Sequence, residues 1–242
     1  MTFIIAGSST GLGRALAERF AQAGRELVLI SRDVRDTEAL ANHLRVRYGV
    51  HASALALDFD VETLDCSPID DCLEGHAPLA GLLLPVGINA EADTIGQEQA
   101  VLATLHRVNY LSPVTMINHY LPVLEANNGT VVGFGSIATA RGRSRNAAYA
   151  AAKSALESYF ESLAHHVEGR GVAAPFYVLG YLDTNLAFSQ DLLFPRAAPL
   201  KVAEVVYRRL DQTGKRFLPW PWYFLYRVVQ LLPWAIFKRL SF

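Results

Sequence analysis

Short, nearly all-apolar runs alternate along this chain with longer segments of helical period. The runs are Phe3–Ala6, Leu27–Ile30, Ala52–Leu57, Gly81–Val86, Thr130–Phe134 and Pro175–Leu179. A strand with one wet face alternates apolar and polar positions. Near-continuous apolar runs instead predict strands covered on both faces. Between the first two, Leu12, Leu16 and Phe20 recur every fourth residue and place one stripe against a sheet, and Gly24 ends that helix. Strand–helix alternation of this kind predicts an α/β fold, a doubly wound parallel sheet in three α/β/α layers. Lys201–Thr213 reads as a further helix. The tail then changes character: residues 217–242 hold all three tryptophans and begin Phe217-Leu218-Pro219-Trp220-Pro221-Trp222-Tyr223-Phe224. Arg227, Gln230 and Pro233 interrupt its apolar character, so it does not predict a membrane span. The expected organisation is a nucleotide-binding and catalytic domain over residues 1–216 and an aromatic extension over residues 217–242.

Composition narrows the class. Of 242 residues, 51 % are hydrophobic and 19 % charged, which supplies a large buried core. A net charge of −1 without a basic block argues against nucleic acid as a partner. Cys66 and Cys72 are spaced neither as a redox pair nor as half of a zinc site, and the seven histidines form no HExxH. No metal is expected. The chain opens directly on a strand-like run, which reads as lacking a targeting segment. The expected compartment is the cytoplasm.

Chemistry enters with Gly7-Ser8-Ser9-Thr10-Gly11-Leu12-Gly13, set between the first strand and the first helix. Glycines there let the main chain approach a pyrophosphate, and the helix start offers free N–H groups and a positive dipole end. The second strand ends at Ser31-Arg32. A small hydroxyl followed by a cation suits a ribose 2′-phosphate, where an acid would suit free hydroxyls, so NADPH is expected over NADH. Arg14 adds to the same charge. Asp58, closing the third strand, either accepts a hydrogen bond from adenine or caps its own turn. Tyr149 and Lys153 stand four apart in a helical segment and so share a face. The cation is expected to favour the phenolate and lower the tyrosine pKa. Ser136, 13 residues before Tyr149 at a strand end, can hold the same substrate carbonyl from its other side.

Together these pieces resemble the short-chain dehydrogenase/reductase family over nearly the whole chain. The matching positions are Gly7-x3-Gly11-x-Gly13, Asp58, Asn109, Ser136, Tyr149-x3-Lys153 and the Gly180–Thr184 stretch. The resemblance implies a Rossmann-like fold and hydride transfer between NADP and a carbonyl or alcohol. It implies that Tyr149 donates the proton, Lys153 tunes it and binds the nicotinamide ribose, Ser136 orients the carbonyl, and Asn109 holds a water linking Lys153 to solvent. The cofactor site then comprises Gly7, Ser9, Thr10, Gly11, Leu12, Gly13, Ser31, Arg32, Asp58, Gly87, Tyr149, Lys153 and Thr184. Three positions depart from the family pattern. Leu84-Pro85-Val86-Gly87 replaces Asn-Asn-Ala-Gly, Leu179-Gly180 replaces Pro-Gly, and Ala6 stands where threonine is usual.

Two features bear on the substrate. Arg141-Gly142-Arg143-Ser144-Arg145-Asn146 runs into Tyr149, and the tail ends Leu232-Pro233-Trp234-Ala235-Ile236-Phe237-Lys238-Arg239. With Val86-Gly87, these resemble the keto-reductase subunit of the decaprenylphosphoryl-ribose epimerase system, which implies a keto-sugar on a polyprenyl phosphate. The arginines read either as a solvated loop or as a phosphate contact. The tail reads as a lid or subunit interface in a homo-oligomer, or as a membrane-surface segment with aromatics at the headgroup boundary and Arg227, Lys238 and Arg239 toward anionic lipid. The competing class is a catalytically silent NADP-binding regulatory or scaffold subunit, with no need of an intact Ser–Tyr–Lys–Asn set.

Overall fold

A computed structural model describes residues 1–91, 93–183 and 196–239 of the chain. Seven parallel strands form one sheet in the order β3-β2-β1-β4-β5-β6-β7. They are β1 Thr2–Ala6, β2 Glu26–Ser31, β3 Ala52–Ala56, β4 Leu79–Leu84, β5 Thr130–Ser136, β6 Pro175–Leu179 and β7 Gly214–Leu218. The helices are α1 Gly11–Gln22, α2 Val34–Tyr48, α3 Ser67–Leu73, α4 Gln99–His106, α5 Ser112–Ala126, α6 Ala147–His166, α7 Pro199–Arg208, α8 Trp222–Leu231 and α9 Trp234–Phe237. A π-helical turn, Arg107–Leu111, joins α4 to α5.

The apolar runs are explained by two cores. Side chains alternate across a strand, so Ile4, Val28, Ile30, Leu82 and Val131 enter one core with α5 and α6. Phe3, Ile5, Leu27, Leu29, Leu83 and Val132 enter the other with α1, α2 and α7. Both parities are buried, so both are apolar.

The expected elements shift in three places. The fourth strand runs from Leu79 to Leu84 rather than from Gly81 to Val86, because Pro85 has no N–H for the ladder. The helix expected over 201–213 is Pro199–Arg208. The seventh strand was not expected at all. Its Gly-Lys-Arg opening is polar, yet an edge strand paired only with β6 tolerates that. It runs across the expected boundary at residue 216. Among the described residues no helix is long and apolar enough to cross a membrane.

The sheet order reverses between β1 and β4, since β2 and β3 lie on one side of β1 and β5 to β7 beyond β4. The loops leaving the carboxyl ends of β1 and β4 therefore diverge and open a crevice, the usual ligand position in such sheets.

Candidate active site

The crevice is a cleft of about 390 Å³. Gly7, Ser9, Thr10, Gly11, Leu12, Gly13, Ser31, Arg32, Asp58, Gly87, Ser136, Tyr149 and Lys153 all line it. Asn109 is fully buried just behind it, and Thr184 lies outside the described residues. Arg14 is exposed on α1 and is not among the lining residues.

Backbone packing explains the glycine loop. Gly7 has φ +90°, and a Cβ there would meet the Val86 Cα at 2.8 Å. A Cβ on Gly13 would stand 1.9 Å from the Gly7 carbonyl oxygen. Only glycine fits either place. The loop is anchored by Gly7 N–H and Ser8 N–H, which both donate to the Ile30 carbonyl at 2.8 and 3.1 Å. The α1 N-cap Thr10 gives its helix no side-chain cap. The helix start is therefore left for a ligand's oxyanions. This cradle fits the pyrophosphate of a dinucleotide.

At the end of β2, Ser31 turns its hydroxyl inward, donating to the Asp33 carbonyl at 2.8 Å and pairing with Thr37. Arg32 faces the cleft. Asp33, the nearest acid, caps α2 through Arg35 N–H at 2.9 Å and pairs with the Arg35 side chain. It does not line the cleft. Asp58 lines the cleft, and its carboxylate accepts the Asp60 N–H at 2.9 Å, the bond of a turn cap.

The end of the cleft that holds Tyr149 and Lys153 is built from three elements. Lys153 is 4 % exposed, and its Nζ donates to the carbonyls of Val86 and Phe134 at 3.4 and 3.3 Å. Gly87 admits it: a Cβ there would be 3.2 Å from Lys153 Nζ and 3.0 Å from Asn109 Oδ1. Asn109 sits in the π-helical turn, a deviation frequent at functional sites. Its Oδ1 accepts from Ile88 N–H at 3.1 Å, and its Nδ2 donates to the carbonyls of Ile88 and Leu105 at 3.0 and 2.9 Å. Asn109 thus braces the segment whose usual asparagines are absent.

The expected lowering of the tyrosine pKa is corrected by this geometry. Burial pushes the Tyr149 phenol up, and the Ser136 hydroxyl facing it works in the opposite direction. Burial also pushes the Lys153 ammonium down to about 8. Its bonds here go to main-chain carbonyls. Tyr149 is therefore protonated near neutrality, the form a proton donor needs.

Sequence reasoning missed what holds Tyr149. Asp93, 1 % exposed, accepts the N–H groups of Ala148 and Tyr149 at 2.9 and 2.8 Å. It caps α6 from 54 positions upstream of Ala147, where the local cap residue, Asn146, makes no side-chain bond. Nothing in the local pattern signals a cap supplied by a distant loop. Also missed was the backing of the loops after β5 and β6. Trp222 packs on Gly180, where a Cβ would lie 2.4 Å from its ring, and meets Tyr181 edge to face. Tyr226 reaches Thr139 at 3.3 Å. Thr139 also donates to the buried Glu157, which pairs with Lys215 of β7 at 2.7 Å. Among the described residues the tail lines no part of the cleft. It supports the lining loops from behind.

A crevice at the switch point, a glycine cradle and a Tyr–Lys pair whose lysine is buried together define a dinucleotide-dependent oxidoreductase site. Residues 1–191 match the family model for short chain dehydrogenase, and the chain belongs to the short-chain dehydrogenase/reductase family. An uncharacterized oxidoreductase of Mycobacterium tuberculosis is 25 % identical over 244 residues, covering 98 % of this chain and 96 % of that one. Dehydrogenase/reductase SDR family member 7B of Danio rerio is 26 % identical over 192 residues, 77 % of this chain. The match spans 62 % of that relative, less than two thirds of its length. Among solved structures, a short-chain dehydrogenase from Sphingobium yanoikuyae in complex with NADPH superposes with a TM-score of 0.81 at 21 % identity, covering 99 % of this chain and 96 % of that one.

Proposed function

We propose that this chain is an NADPH-dependent carbonyl reductase whose reacting groups are Ser136, Tyr149 and Lys153. One observation carries the reading: the glycine cradle, Arg32 and the Ser–Tyr–Lys group line a single cleft. When bound, NADPH would supply the hydride. The chain's own residues do the rest. Gly7–Gly13 and the α1 N-terminus hold the pyrophosphate, and Arg32 holds the 2′-phosphate. Lys153 holds the nicotinamide ribose. Ser136 positions the carbonyl oxygen, and Tyr149, protonated near neutrality, donates its phenolic proton as negative charge develops there. Asn109 keeps Gly87 and Lys153 in register by clamping Ile88. Thr184 is proposed at the carboxamide end.

The substrate we propose is lipophilic, a lipid-linked keto-sugar or a similar ketone. What supports this is the tail. Trp220, Phe224, Val228, Leu231 and Trp234 are all exposed, two of them at 68 % and 75 %. No acidic residue follows Asp211, while Arg227, Lys238 and Arg239 do. An apolar face on a segment whose own charged side chains are all cations fits an anionic bilayer surface at the inner face of the membrane.

The test is turnover with NADPH and NADH across a panel of lipophilic ketones. Tyr149→Phe is expected to lower kcat by about 10²–10⁴ with NADPH binding unchanged. Arg32→Ala is expected to weaken NADPH by about 1.5–3 kcal/mol and leave NADH unaffected. Tighter NADH than NADPH in the wild type, or full activity in Tyr149→Phe, would overturn the reading.

A further inference from the structure

We infer that Arg143 forms an anion subsite at the substrate end of the cleft, so that the carbonyl compound carries a phosphate or carboxylate group. This deepens the reductase reading and rests on it for the word substrate.

The three arginines before Tyr149 have different fates. Arg141 donates to the carbonyls of Val229 and Leu232 and lies over the Phe237 ring at 4.6 Å, so it belongs to the tail contact. Arg145 is exposed and pairs through its backbone with Thr94. Arg143 alone of the three lines the cleft that Ser136, Tyr149 and Tyr181 also line, and it lies on the connection between Ser136 and Tyr149. Its Nε is buried and has no hydrogen-bond partner. A buried cationic N–H without an acceptor is costly unless a ligand supplies one.

Among the described residues no protein group does so. The acids lining the cleft among them are Asp58 and Asp60. Asp60 already accepts from Thr104 and Arg107, and Asp58 from the Asp60 N–H. Asp93, close by in the fold, is engaged by the first N–H groups of α6 and does not line the cleft. The cofactor's own phosphates have separate receivers. Arg32 follows β2 and Arg143 follows β5, with β1 and β4 between them. Three strand spacings of about 4.8 Å put those ends roughly 14 Å apart. Both arginines line the one cleft, and they enter it on connections that leave different strands. Guanidinium presents paired donors that match the oxygens of phosphate and carboxylate alike.

The test uses three matched aryl ketones: one neutral, one bearing a carboxylate and one bearing a phosphate monoester. Their binding to the NADP⁺ complex is measured by calorimetry, where no reduction can occur. Wild type is expected to bind the anionic ketones about tenfold to a hundredfold more tightly than the neutral one, as one or two charge-assisted hydrogen bonds would give. The tighter of the two identifies the anion. Arg143→Gln is expected to level all three, Arg143→Lys to keep part of the preference, and NADP⁺ affinity to be the same in every variant. Equal affinities in the wild type, no binding of either anionic ketone, a preference that survives in Arg143→Gln, or an equal loss for neutral and anionic compounds would each overturn the subsite. Turnover of the same ketones by wild type and Tyr149→Phe with NADPH is read separately. Failure there, with the binding preference intact, would strike the reductase reading and leave the anion site standing.

Discussion

The two walls of the cleft are held by different means. On the nucleotide wall, backbone meets backbone: Gly7 lies against Val86, Gly13 against the Gly7 carbonyl, and Lys153 bonds main-chain carbonyls. On the substrate wall, the loops bearing Thr139 and Gly180 are held from behind by side chains of the tail, Trp222 and Tyr226 above all. Backbone contacts leave no volume to vary. Side-chain contacts can be resized. The glycine-loop wall is therefore fixed by geometry, while the opposite wall can be reshaped through residues that, among those described, do not line the cleft.

The sharpest break of that contrast is Trp222→Ala. Removing a ring that is 5 % exposed should cost about 3–5 kcal/mol of stability, read by denaturant unfolding. In the folded fraction it should change the KM for ketones and leave NADPH affinity alone. A matched loss of NADPH affinity would erase the distinction between the walls. Gly13→Ala attacks the other wall. Its Cβ would meet a carbonyl oxygen rather than a movable side chain. Displacing the loop by about 1 Å is expected to weaken NADPH about a hundredfold, measured by fluorescence titration.

A third prediction concerns pH. Burial holds Lys153 at about 8 in the fold, below the ordinary lysine value near 10.4 in the unfolded chain. Between those values the unfolded chain binds more protons, so raising the pH through this window stabilises the fold. Below it the buried ammonium costs a constant amount, at most about 3 kcal/mol. Relative to Lys153→Met, the wild type should therefore gain stability from about pH 8 upward. Over the same window kcat/KM for carbonyl reduction should fall about tenfold per pH unit as Lys153 loses its charge. A flat profile through pH 9 would show that the charge on Lys153 is not needed. The smallest effect on the fold is expected from Trp220→Ser with Phe224→Ser. Both side chains are exposed, so stability should move by no more than about 0.5 kcal/mol each. Flotation with phosphatidylglycerol vesicles should nevertheless be lost. Retained flotation, or a fall in oligomer mass instead, would assign the exposed face to something other than lipid.

The chain's own sequence determined the layered α/β fold, because strands buried on both faces must be apolar at both parities. It also determined the glycine cradle and the neighbouring of Tyr149 and Lys153. Each of these is a local relation of turn or helix period, written within seven residues. Tertiary structure alone decided what joins distant segments. Asp93 caps α6 beneath Tyr149, Asn109 braces Ile88, Trp222 supports Gly180, and a polar edge strand from Gly214 completes the sheet. It also separated three arginines that look alike in the sequence. Arg141 went to the tail, Arg145 to the surface and Arg143 to the cleft, because where a side chain points in an irregular loop depends on the elements packed around it. The sign of the Tyr149 shift was decided the same way. The four-residue spacing puts a cation on its helix face, but burial raises the phenol, and burial is a property of the whole fold.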